Sequence, residues 1–420
     1  MNKYTSIYNR IADVILLFQP VFPVPLYFTV LMGNPPFWVS LIISLIPFVL
    51  RYQHQKILFK RTIFDFPILI FIIGSAVGFF IATNKDTATG ALISLLASIL
   101  IYYGMTSNSD RGKKYWISLG AIIIFISLIF SVWFFSQGQS KQFLFNQWTF
   151  DMFKSVPKSP GVSLGLHGIG ALFSAVIPVA LGALLFSRNK KYRIWLAVLS
   201  LLLAFILFLS VSGGGWIAFS IGVIFILICW RRRSLFFLIP ISGLIIGLFL
   251  FYYSKTIWLP YSFSNMAIPS RYNLWVNTVP LLGDLHSFFG LGLGNWAEVY
   301  NNYYHSAEIH MHNNYFQIYT DMGIFGVLAI SFAIVIFSVT AYKIMKSSGG
   351  GILKGLGIGL IGSFLGGAFF NMLDVTLTGT IKENGSYIYL SIPFLWIWAA
   401  FYSVTYYKLF SKEKICLLEL

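Results

Sequence analysis

The chain has 420 residues, of which 57% are apolar and only 10% charged, with 29 basic side chains against 13 acidic ones. A soluble domain carries roughly a quarter charged residues, so this composition excludes an ordinary water-soluble globule. The formal charge of +16 reads as flanking charge for membrane spans against an anionic leaflet, which removes the nucleic-acid interpretation of a basic chain.

Apolar runs long enough to cross a hydrocarbon core of roughly 30 Å recur throughout. Twelve spans are predicted, near 11–31, 36–50, 66–82, 91–105, 115–136, 164–187, 194–211, 216–230, 235–253, 318–342, 355–373 and 387–407. Helices are expected for all of them, because backbone amides in lipid must pair within their own segment. The expected fold class is therefore all-α: one polytopic membrane domain over residues 1–420, with a partly helical extracytoplasmic loop between spans 9 and 10.

The leading segment "MNKYTSIYNR" shows no small-residue cleavage site and reads as a retained anchor. With the N-terminus inside, only Lys85, Lys141, Lys154, Lys158, Lys255, Arg271 and Lys382 of the 29 basic residues face outward. The positive-inside rule then puts both termini in the cytoplasm. Cys229 and Cys416 fall on the same inner side, and neither a disulfide framework nor a CxxC metal motif is present.

Two outer loops are long. Residues 137–163 carry three lysines and several aromatics, and residues 254–317 form the larger loop, rich in Trp and Tyr. Long connections in a compact protein are usually functional or disordered, and the aromatic content favours order here. Within the larger loop, Arg271, Trp275 and Thr278 follow helical spacing after Pro269, with Ser270 as the expected N-cap. A turn on Gly290, Gly292 and Gly294 follows, where backbone amides can approach a ligand closely. The outer turn "TNKDTATG" at 83–90 has ordinary turn composition and is expected to carry no special role.

Four of the six histidines (His286, His305, His310 and His312) crowd into this loop. His312 is a candidate base for a sugar hydroxyl, although a capping or hydrogen-bonding histidine at the mouth of a span fits the same position. Arg271 offers a permanently charged fork suited to two phosphate oxygens. A salt bridge to Asp284, Glu298 or Glu308, or a cation–π contact, fits it equally well. His305, Glu308, His310 and His312 also raise a zinc site, but the two-residue spacing of the last pair and the lack of a distant partner cluster argue against a metal. His167, at the outer mouth of the sixth span, is a further candidate. "GIGLIG" from Gly357 to Gly362 matches a nucleotide fingerprint only on paper, since no strand precedes it. Inside a span such small residues let helices pack closely.

Taken in order, "SRYNLWVNTVPLL", "GLGLGNW" and "HNNYFQIYTDMGIFG" resemble the signature region of the O-antigen ligase and O-antigen polymerase superfamily. The matching residues are Arg271, Trp275, Gly292, Gly294, His312, Asn313, Asp321, Gly323 and Gly326. The resemblance implies a metal-independent, cofactor-free glycosyltransferase on the outer face of the cytoplasmic membrane. Its donor would be a glycan on undecaprenyl diphosphate and its acceptor a sugar hydroxyl, with a polysaccharide flippase or chain-length regulator as candidate partners. Arg271 would hold the diphosphate, assisted by outer lysines such as Lys141, Lys154 or Lys158. His312 would act as base or orient the acceptor. Tyr272, Trp275 and Trp296 would stack on sugars, while Asn313, Gly292, Gly294 and His167 complete the expected substrate-binding set. Many ligases of the family carry an arginine where "VSGGGWIAF" has Gly213, which turns the expectation toward a polymerase.

Two other classes compete. A twelve-span transporter shares the layout, but such proteins place ionisable groups near the midplane and show paired broken helices. Here the polar chemistry gathers outside the membrane instead. A scaffold or flippase partner in glycan assembly explains the Arg271 and His312 loop less well.

Overall fold

The computed structural model describes residues 41–42, 45–46, 48–49, 52–53, 59–107, 166–209, 213–231, 267–306, 308, 310–347, 351–373, 378–383, 386–391 and 393–410. The expected spans at 11–31, 115–136 and 235–253, most of 36–50, and the outer loop 137–163 lie outside the described residues. The first helices in chain order are α1 (Asp65–Ile81), α2 (Lys85–Ser107), α3 (Leu166–Phe186), α4 (Lys190–Leu209) and α5 (Gly213–Trp230). Next come α6 (Ala267–Thr278), a 3-10 turn (Val279–Leu282), α7 (Asp284–Phe289) and α8 (Trp296–Tyr304), all within the larger predicted loop. The chain continues through α9 (Asn314–Lys346), α10 (Ile352–Leu373), strands β1 (Thr378–Glu383) and β2 (Ser386–Ser391), and α11 (Pro393–Phe410).

Among the described residues, Lys85–Ser107, Asn314–Lys346 and Ile352–Met372 are long and apolar enough to cross a membrane, and Asp65–Ile81, Gly170–Phe186 and Gly214–Trp230 are shorter apolar helices. Large apolar side chains stand on the outer surface of this bundle: Phe80 is 77% exposed, Trp195 73% and Leu201 72%. Water disfavours such a surface, whereas hydrocarbon accepts it.

The described residues are helical as expected, apart from one hairpin. The last predicted span, 387–407, begins as a strand, and β1 and β2 form an antiparallel hairpin running from Thr378↔Ser391 to Glu383↔Ser386. The run "TGTIKENGSYIYLS" carries Asn384-Gly385 between β-branched and aromatic residues, which is hairpin chemistry that hydropathy alone passes over. Helix α11 starts only at Pro393, where the missing amide costs nothing. A second correction concerns α6, which begins at Ala267, so Ser270 lies inside the helix instead of capping it.

The bundle packs through its smallest residues. A Cβ added at Gly359 would meet the Pro178 carbonyl oxygen at 2.6 Å, and one at Gly222 would meet the Pro178 ring at 2.8 Å. Gly362 opposes the Gly222 carbonyl oxygen at 2.8 Å on the same terms, so α3, α5 and α10 touch backbone to backbone. The glycines of "GIGLIG" thus serve helix packing, as their place inside a span implied. Buried hydroxyls are paired across helices as well. Thr340 shares a hydrogen bond with Tyr402 at 2.8 Å, Tyr102 with Ser403 at 3.0 Å, and Trp398 Nε1 donates to Ser363 at 2.8 Å.

Gly359→Ala is expected to lower the thermal unfolding midpoint in detergent, with overpacking costing on the order of 1–3 kcal/mol. Gly367→Ala, where an added Cβ meets nothing within 4 Å, is expected to leave the midpoint unchanged or slightly raised. Equal midpoints for the two variants would contradict this packing scheme.

Candidate active site

The larger loop builds a small core of its own. Leu274, Leu282, Leu291, Trp296, Ala297, Tyr300 and Met311 form one buried cluster, separate from the main apolar core of the bundle. At its centre Trp296 is fully buried and stacks on Tyr300 at 4.9 Å, and its Nε1 donates to Thr278 Oγ1 at 3.0 Å. Trp296 therefore presents no face to a sugar: it is the keystone that lets α6 and α8 fold on each other. Tyr304 donates its hydroxyl to the Asn277 carbonyl at 2.9 Å. Desolvation, with Tyr303 and Tyr300 adding, raises this phenol above its usual range and keeps it a donor.

The lobe is tied to the membrane bundle at the Gly-rich turn. Helix α9 is broken at Gly323, whose φ of 58° and ψ of −140° lie outside the helical region. A break strands carbonyls that would otherwise receive helical amides. The Leu291 amide takes the carbonyl of Thr320 at 2.6 Å, and the Leu293 amide takes that of Gly78 in α1 at 3.0 Å. Gly290 and Gly292 have φ values of 87° and 101°. A Cβ on Gly290 would meet the Thr320 carbonyl oxygen at 2.6 Å, and one on Gly292 would meet the Ala82 amide nitrogen at 2.8 Å. The Gly294 amide donates to Asp321 Oδ1 at 3.3 Å, and Gln317 Nε2 donates to the same oxygen at 3.1 Å. These glycines hold the turn against α1 and α9, and the amides of Leu291, Leu293 and Gly294 are committed to protein acceptors.

Asn295 extends the clasp. Its Oδ1 accepts from Thr83 Oγ1 at 2.9 Å and from the Asn84 amide at 2.7 Å, while Asn84 Nδ2 donates to Glu298 at 2.6 Å. The segment 83–90, expected as an unremarkable turn, is helical from Lys85 onward, and Thr83 and Asn84 just before that helix are a docking point for α8. Sequence reasoning missed this because turn residues look alike whether they face water or a partner. Lys85, one of the outward cations, donates to the carbonyls of Phe79 and Phe80 at 2.9 and 2.7 Å and so caps α1.

The histidine segment folds over Asn301, which donates to the Glu308 carbonyl at 2.6 Å and accepts from the Glu308 amide at 2.8 Å. His305 and His312 both adopt left-handed backbone, with φ of 51° and 53°. Non-glycine residues seldom do so, and such strain gathers at functional sites. The rings of His310 and His312 lie 4.2 Å apart between centroids. Directly after them Asn313 caps α9, its side chain accepting from the Phe316 amide at 3.0 Å. His286, by contrast, donates Nδ1–H to the Gly290 carbonyl at 2.9 Å, a local structural bond.

Arg271 and His312 are linked through Trp275. Trp275 Nε1 donates to the carbonyl of Met311, next to His312, at 2.8 Å. Arg271 lies four residues before Trp275 in α6 and so on the same face, which is the face turned to the histidine segment. The Met311 amide in turn donates to Gln317 Oε1 at 3.4 Å, which joins this segment to Asp321 and the Gly-rich turn. Tyr272 stands 60% exposed beside Arg271, with an open ring face. His167 falls in the first turn of α3 and Gly213 opens α5, while Lys141, Lys154 and Lys158 lie outside the described residues.

Residues 198–331 match the family described as O-Antigen ligase. The matched segment runs from α4 into α9 and contains Arg271, Trp275, the Gly-rich turn, His312 and Asp321. The match makes this segment, less than half of the chain, similar to the O-antigen ligase family. No curated protein matches the chain.

Gly323→Ala is expected to destabilise the protein strongly, since it adds a left-handed penalty of roughly 1–2 kcal/mol to a clash with the Phe288 carbonyl. Asn295→Ala leaves the Asn84 amide without its acceptor and is expected to cost about 1–3 kcal/mol. Thermal unfolding of the purified protein measures both, and wild-type midpoints would refute the clasp.

Proposed function

We propose that the protein transfers a glycan from undecaprenyl diphosphate to a sugar hydroxyl of an acceptor glycan, on the outer face of the cytoplasmic membrane. The observation that carries this reading is the Trp275 to Met311 bond at 2.8 Å. It ties the helix that carries Arg271 to the residue just before His312, inside the segment matched to the family. In the transfer, the bond between the anomeric carbon and the diphosphate oxygen breaks as the acceptor oxygen bonds to that carbon. Negative charge grows on the departing diphosphate, and Arg271 offsets it with a bidentate, permanently charged fork. The acceptor hydroxyl loses its proton as it attacks, and His312 accepts or orients that proton. Tyr272 offers an exposed ring for sugar stacking, while Lys154 and His167 are the candidates for further donor contacts. No metal is needed, because the diphosphate already activates the sugar.

Between the two activities of the superfamily, the reading is polymerisation of a surface polysaccharide. Gly213 at the start of α5 supplies no charge where many ligases carry an arginine. A ligase reading, with transfer to lipid A-core or another acceptor, needs that second phosphate-binding charge from elsewhere.

Glycan chain length in a deletion strain tests the assignment. Wild type is expected to restore long chains, whereas Arg271→Ala and His312→Ala, at matched membrane levels, leave single repeats on the final acceptor. Loss of general acid–base help corresponds to roughly a 10²–10⁴-fold slower reaction. Long lipid-linked chains that accumulate without transfer would assign ligase activity instead, and normal chains from both variants would overturn the site. Transfer by the purified enzyme is expected to survive a chelator such as EDTA, and its abolition would disprove metal independence.

A further inference from the structure

At the end of α1 remote from the Gly-rich clasp, a cleft of about 540 Å³ lies between helical positions near 41–53, the segment leading into α1, and α2. That volume falls in the roughly 300–1,000 Å³ range of small-ligand sites. Leu45, Ile72, Leu96 and Leu100 make an apolar wall, and Phe59 closes one side, held by Phe48 at 5.0 Å and Tyr103 at 5.2 Å between ring centroids. At one end of this apolar trough stand Lys60 and Arg61, the latter exposed.

Asp65 also borders the cleft, but its carboxylate is already engaged by its own neighbours. It accepts from the Thr62 amide at 3.0 Å, from Thr62 Oγ1 at 2.5 Å, and from the Tyr103 hydroxyl at 3.0 Å. With Lys60 and Arg61 set against this one carboxylate, the charged end of the cleft is net cationic. An apolar trough with two cations at its mouth matches an amphiphile with an anionic head, and a zwitterionic head would bring its own cation against Lys60 and Arg61. Basic pockets between membrane helices on the inner side are suited to anionic headgroups, and the positive-inside expectation puts these two residues on that side.

We propose that this cleft holds one anionic phospholipid, its phosphate on Lys60 and Arg61 and an acyl chain along Leu45, Leu96 and Leu100. The lipid fills the gap between α1 and α2 and braces the helix whose other end carries the clasp. This inference stands independently of the glycosyl-transfer reading.

Native mass spectrometry of the full chain in detergent tests it, by titration with phosphatidylglycerol, phosphatidylcholine or inorganic phosphate. Wild type is expected to prefer phosphatidylglycerol over phosphatidylcholine by roughly thirtyfold, the effect of two basic side chains near a headgroup. The double variant Lys60→Gln/Arg61→Gln is expected to lose that preference while still unfolding at the wild-type temperature. Leu100→Trp, which fills the trough, is expected to weaken both lipids alike. Equal binding of the two lipids by wild type would overturn the proposal, as would a preference that survives in the double variant. Inorganic phosphate binding as tightly as phosphatidylglycerol would overturn it too, because the acyl chain would then contribute nothing.

Discussion

Close approach of backbone to backbone at Gly323 is the constraint on which the lobe built from α6 to α8 depends. The break there turns α9 from one long rod into a short N-terminal piece and a longer C-terminal piece. The freed Thr320 carbonyl becomes an acceptor for Leu291, and the space left by the absent Cβ admits the end of α7. Gly292 against Ala82, and Gly78 against Leu293, repeat the same logic at α1. A side chain at any of these contacts would push apart segments far apart in sequence, so glycine is required by geometry.

With the clasp closed, the polar elements of the outer lobe inherit rigidity from the membrane helices. Asp321 and Gln317 sit buried in the N-terminal piece of α9 and reach both the Gly-rich turn and Met311. Trp275 adds the α6 side of the same frame. Arg271 and His312 are thus mounted on elements that cannot drift independently. The proposed transfer, with charge growing on a diphosphate and a proton leaving the acceptor, would benefit from such a mounting, since its donors would need no rearrangement as charge forms. The left-handed backbone at His312 fits the same picture, because the surrounding bonds over-determine a conformation that the residue would not adopt alone.

The two ends of α1 divide the labour. Its outer end is built from glycine, Asn84 and carbonyl acceptors, and joins protein to protein. Its other end, through Asp65 and Ile72, borders a cleft that Leu45, Leu96 and Leu100 of neighbouring segments line together with Lys60 and Arg61 just before the helix. Hydrocarbon surrounds the bundle and supplies little drive for helices to associate, so close glycine contacts and buried hydroxyl pairs hold it together.

The sequence by itself determined the helical membrane character, since apolar runs of sufficient length leave the backbone no other way to pair in lipid. Eight of the predicted spans coincide with helices in the structure, including the one kinked near its start at Gly323 and the one that starts late behind a hairpin. The packing role of "GIGLIG" was equally legible, because small residues inside a span have few other uses. The order of Arg271, the Gly-rich turn and His312 was legible too, and pointed to the segment that the family match covers. Tertiary structure alone decided which aromatic residues stay available. Trp296 and Tyr272 look alike as candidates for sugar stacking, yet one is the keystone of a core and the other stands in the open. It alone revealed that Thr83 and Asn84 grip Asn295, and that the turn glycines face carbonyls of α1 and α9. The contacts with α1 and the segment after it join residues more than 200 positions apart, and local composition carries no record of such partners.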